Sequence, residues 1–83
     1  MQFRRVDDMT EDLKENMITR KEFPTNAFIK KIYLLTDGNG FYYIDVLYEC
    51  DNVTGYVMQV ISDDYNETLN SIVYRIRRKC VQR

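Results

Sequence analysis

Histidine and tryptophan are missing from this 83-residue chain, which has one proline, three glycines and two cysteines. Without histidine, the usual zinc-ligand spacings and every nucleophile activated by an imidazole are excluded. Two cysteines are too few for the disulfide framework of a small secreted domain. So little proline and glycine leaves no room for linkers, and most of the length is expected to fold as one domain spanning residues 1–83. No apolar run approaches the roughly 20 residues of a membrane span, and the opening MQFRRVDDMTEDLKENM lacks the apolar centre of a signal peptide. These absences point to a protein that needs no cofactor or metal and resides in the cytoplasm, or in the host cytoplasm if it is viral. The sequons Asn52-Val53-Thr54 and Asn66-Glu67-Thr68 are then chance matches.

One further absence is local. From Ile32 to Tyr74 there is no lysine or arginine, while that stretch carries seven carboxylates: Asp37, Asp45, Glu49, Asp51, Asp63, Asp64 and Glu67. Twelve cations lie outside it, so the net charge of -1 conceals a basic, acidic, basic layout. In the whole chain 45% of residues are hydrophobic, enough for a core, yet a domain this small is marginal and gains from a partner or a second copy.

Asp8 and Glu11 have the spacing of a capping box, and Met9, Leu13 and Met17 then recur at helical intervals, predicting a first helix that ends before Pro24. Residues 1–6 ahead of it read as an arm or an edge strand. Three runs rich in Ile, Val, Tyr and Phe follow, at Ala27–Thr36, Phe41–Cys50 and Tyr56–Ser62. Asp37-Gly38-Asn39-Gly40 and Asp51-Asn52 with Gly55 supply turn chemistry between them, predicting an antiparallel meander. Asp64 and Glu67 form a second capping box before Tyr65, Leu69, Ile72, Val73, Ile76 and Cys80, which fall on one helical face. The expected fold is α+β in the order α-β-β-β-α, a three-stranded antiparallel meander with the helices mainly on one sheet face.

Alternation assigns Tyr42, Ile44, Val46, Tyr48 and Cys50, with Ile32 and Leu34, to the core. Lys31, Tyr33, Leu35, Phe41, Tyr43, Asp45, Leu47 and Glu49 are left outward, and Gln59 is placed outward between Val57 and Ile61. Such a mixture of aromatic, aliphatic and acidic groups is not a face made for water. Five of the seven carboxylates have turn or helix-start duties, whereas Asp45 and Glu49 have none. Tyr33, Phe41, Tyr43, Asp45, Leu47 and Glu49 are therefore the candidate partner-binding residues. The partner is a protein with a basic groove or a second copy of the chain, with Asp45 and Glu49 setting charge complementarity. Two acids on an open face without a pocket do not make a catalytic pair, so no enzymatic activity is expected. Size and charge suit an inhibitor from a virus or mobile element, directed at a nucleic-acid-handling enzyme such as a CRISPR effector.

The alternative is a nucleic-acid-binding module using Arg4, Arg5, Arg75, Arg77, Arg78 and Lys79. The element order resembles the double-stranded-RNA-binding domain, which carries lysines at the start of its second helix. Here those positions read Asp63-Asp64-Tyr65-Asn66-Glu67, and carboxylates repel phosphate, so the resemblance is one of topology. Cations at the end of the second helix also answer its dipole. Cys50 and Cys80 are expected at the same end of the sheet, as two reduced, buried thiols.

Overall fold

The computed structural model describes residues 2–80. Its elements run β1 (Arg4–Asp8), α1 (Thr10–Ile18), β2 (Ala27–Thr36), β3 (Tyr42–Cys50), β4 (Val53–Val60) and α2 (Tyr65–Lys79). The fold is α+β as expected, but the sheet has four antiparallel strands in the order β1-β2-β3-β4 rather than three. The added strand is the N-terminal arm, which pairs with β2 from Arg4 opposite Thr36 to Asp8 opposite Tyr33. Asp8 therefore belongs to a strand and not to a capping box. Its Oδ1 accepts bonds from the Thr10 amide at 3.0 Å and the Thr10 hydroxyl at 2.6 Å, and Met9 stands at the helix cap with no side-chain bond.

The same threonine finishes the ladder. Ile32 O accepts from Met9 N at 2.8 Å, and Ile32 N donates to Thr10 Oγ1 at 2.9 Å, so α1 begins welded to β2. At the far end of the chain Asp64 caps α2 as its sequence signature predicts, accepting from Glu67 N at 3.2 Å.

Both helices cover one sheet face. Leu13 and Met17 from α1 and Leu69, Ile72, Val73 and Ile76 from α2 pack with Ile29, Ile32, Ile44, Val46, Tyr48 and Val57 from the sheet. A bulge between Ile29 and Lys31 shifts the pleat, which lets Ile29 and Ile32 point inward despite their odd spacing. Tyr42, assigned to the core by alternation, is 48% exposed because it opens β3 at the end of the sheet.

The β3–β4 reversal is tighter than expected. Asp51 and Asn52 both have positive φ, 54° and 68°, as a two-residue hairpin turn requires, so β4 starts at Val53 and not at Tyr56. Gly55 consequently lies inside the strand. A Cβ there would stand 2.8 Å from Tyr48 Oη and 2.9 Å from its Cζ, so the glycine makes room for the buried Tyr48 ring rather than for a turn.

Candidate functional site

The opposite sheet face is assembled by register. Cross-strand partners share a face, so its rows read Leu35, Tyr43, Val60; then Tyr33, Asp45, Met58; then Lys31, Leu47, Tyr56; then Phe28, Glu49, Thr54. Among the described residues no helix lies over these rows. The structure thus brings Tyr33, Tyr43, Asp45, Leu47 and Glu49 together, all of them half-buried. Phe41 is separate, 57% exposed in the β2–β3 turn.

Gln59 is corrected to the helix face. Residues two apart share a face, so it sides with Val57, opposite Ile44, and its Oε1 accepts from Arg75 Nη1 at 2.9 Å. The residues that sequence reasoning missed are Tyr56, Met58 and Val60, whose outward parity follows from the same rule, and Phe28, which only the bulge turns outward.

β1 and Phe3 just before it bring further groups across the edge of this face. Phe3 meets Tyr43 edge to face with centroids 4.9 Å apart, and the Arg5 guanidinium lies 3.7 Å above the Tyr33 ring. Lys30 Nζ stands 3.7 Å from Glu49 Oε1, and Lys31 Nζ the same distance from Asp8 Oδ2. The stretch that is cation-free in sequence is therefore not cation-free in space. The two strands on one side of the acidic β3 supply them, Arg5 from β1 and Lys30 from β2.

Asp45 occupies the middle of the face. Its Oδ1 is shut off from solvent and has no hydrogen-bond partner. Burial pushes its pKa above the ordinary carboxyl value of 3.8, and the charge of Arg5 opposes that rise without cancelling it. Asp37 contrasts with it: bonds from the Asn39 and Phe41 amides and from Tyr43 Oη, the last at 3.2 Å, hold its pKa low despite some desolvation. The Tyr43 hydroxyl is raised in turn by burial and by Asp37.

The residues of the nucleic-acid alternative are not gathered. Arg4 and Arg5 sit on one edge strand, while Arg75 lies against the other, its Nη1 donating to Met58 O at 2.8 Å. Arg77 pairs with Glu22, in the connection between α1 and β2, at 3.2 Å. Only Arg75, Arg78 and Lys79 line a common cleft.

Cys50 and Cys80 do meet at one end of the sheet, as their strand and helix lengths predict. Both are reduced and buried, and burial together with a hydrogen bond to Cys50 pushes the Cys80 thiol up to about 12. A thiol so raised is a poor nucleophile at neutral pH. The adjoining cavity of about 390 Å³ is lined by Lys21, Phe23, Pro24, Thr25, Asn26, Arg77 and Cys80, a set without a carboxylate. Among the described residues no three potential ligands converge as a metal site, and no helix is long and apolar enough to cross a membrane. In comparisons with known proteins, the chain matches no family model, no curated protein and no solved structure.

Proposed function

We propose that this chain is a non-enzymatic protein that binds another protein stoichiometrically through its outer sheet face. The observation that carries the reading is Asp45: a carboxylate oxygen closed off without a partner, at the centre of a face made of Tyr33, Leu35, Tyr43, Leu47, Tyr56 and Met58. A buried polar atom left unbonded in a native structure is destabilising, and a bound partner relieves this when its donor displaces the side chains that close off Asp45 Oδ1. The aromatic and aliphatic rows around it supply the apolar centre of an interface.

The occupant is a foreign protein that offers a cation to Asp45 within an apolar contact surface. A second copy fits less well, because its own outer-face cations Arg5, Lys30 and Lys31 already stand by Tyr33, Glu49 and Asp8. Imitation of a phosphate backbone is not part of this proposal, since Lys30 and Arg5 temper the two acids concerned. An inhibitor of a nucleic-acid-handling enzyme remains one form such a binder can take, engaging a cationic rim beside an apolar depression.

The test combines light scattering with affinity capture from the native host. The wild-type chain is expected to remain monomeric and to retain a protein that Leu47→Asp and Asp45→Lys both release, while Ser71→Asp on the exposed helix surface retains it. A concentration-dependent dimer abolished by Leu47→Asp would reassign the face to self-association. Equal retention by all natively folded variants would overturn the reading.

A further inference from the structure

The two sheet edges are built differently. β1 is five residues long, RRVDD, with a bulge at Val6, the devices by which proteins discourage pairing at an edge. β4 is eight residues, VTGYVMQV, without a charge, a proline or a bulge. In the hairpin closed at Cys50 and Val53, bonding toward β3 alternates along β4, and the bond from Ile61 N to Tyr42 O at 2.8 Å keeps that phase. The amides and carbonyls of Thr54, Tyr56, Met58 and Val60 therefore point off the sheet. Of these, Met58 O is taken by Arg75.

Beside this edge runs a cleft of about 320 Å³ lined by Arg75, Arg78 and Lys79. None of the three has an ion pair among the described residues, in contrast to Arg77 one turn face away, which holds Glu22. Arg75 joins the two features: its guanidinium bonds Met58 O and Gln59 Oε1 on β4 while lining the cleft with Arg78 and Lys79.

We propose that the β4 edge and this cleft bind an extended acidic peptide segment, which adds to the sheet as a fifth strand. The pleat sets its pattern. Residues of the added strand that face the helix layer meet Arg75, Arg78 and Lys79 and are carboxylates; those that alternate with them continue the outer face beside Tyr56, which is 67% exposed, and are apolar. An incoming N–H replaces Arg75 at Met58 O, and the released guanidinium closes on a carboxylate. A second copy of the chain is a poorer occupant, because its β4 brings no carboxylate to the cleft. A nucleic acid would satisfy the cations but leave the strand amides and carbonyls unmatched. This site is separate from Asp45 and stands whether or not the outer face binds a protein.

The test is a fluorescence-anisotropy titration of the full chain with a labelled peptide of alternating aspartate and valine, at low salt. Binding is expected, weakened by at least about tenfold when every peptide amide is N-methylated, and weakened similarly by the exposed double substitution Arg78→Glu, Lys79→Glu. Undiminished binding of the N-methylated peptide would show that charge alone is at work and overturn strand addition. Absence of binding at millimolar peptide, or tighter binding of a single-stranded DNA oligonucleotide than of the peptide, would also overturn it.

Discussion

Two single residues show how much depends on a neighbour that is remote in sequence. Gly55 has no positive φ to justify it, yet the ring of Tyr48 lies where its side chain would be. Gly55→Ala is expected to displace the buried tyrosine and destabilise the fold by about 1–3 kcal/mol, measurable by urea denaturation. Asp45 is the converse, a residue whose own chemistry is unsatisfied. Its pKa is raised, so the native state resists ionising it: the penalty is absent well below 3.8 and grows as pH rises through the elevated native value. Asp45→Asn is therefore expected to raise the thermal midpoint at neutral pH and to lose that advantage in acid. Arg5→Ala removes the one charge that favours the ionised form and is expected to move Asp45 higher still, as read by NMR titration. Asp8 and Asp37 carry the opposite sign. Their depressed values support the fold above 3.8, and that support is lost as pH falls through them.

The two helices differ in where their starts are anchored. α2 begins on a local device, the Asp64 side chain accepting from Glu67 N, and Asp64→Ala is expected to cost about 1 kcal/mol. α1 begins on a tertiary one. Thr10 is buried, its hydroxyl donates to Asp8, and it is the acceptor for the amide of Ile32 in β2. Thr10→Val keeps the shape but strands that amide, so the loss is expected to be larger, about 1–3 kcal/mol, with hydrogen exchange at Ile32 accelerated relative to the rest of β2. The capping signature at Asp64 was legible because the bond it forms, from Glu67 N to the Asp64 carboxylate, spans only three residues and needs no other element. The one at Asp8 misleads because β2 competes for the same segment and wins it for the sheet.

At the scale of the whole molecule, the core is a single layer between one sheet face and two helices, and both thiols close it at one end. Their reaction with a disulfide reagent is expected to follow global unfolding, with the same urea midpoint as the loss of helical signal; rapid labelling of the native protein would show that this end opens on its own. The same layering leaves the second sheet face without a helix over it among the described residues, and leaves the β4 edge covered there only by Arg75 at Met58 O; these are the two surfaces proposed to bind partners.

Alternation within β3, the helical spacing of Leu69, Ile72, Val73 and Ile76, the Asp51-Asn52 turn and the meeting of Cys50 with Cys80 were determined by the sequence, because each follows from chain geometry over a few residues or from element lengths. The fourth strand, the inward turn of Gln59 toward Arg75, the space that Gly55 yields to Tyr48, and the approach of Arg5 and Lys30 to the acidic face were decided by tertiary structure. The reason is physical. A strand carries its facing pattern in its own sequence, but its neighbour, and hence the charge and volume set against each side chain, comes from elsewhere in the chain. The basic, acidic, basic order read along the sequence thus becomes, once β1 and β2 lie beside β3, a mixed surface in which Asp45 alone has a carboxylate oxygen shut off from solvent without a hydrogen-bond partner among the described residues.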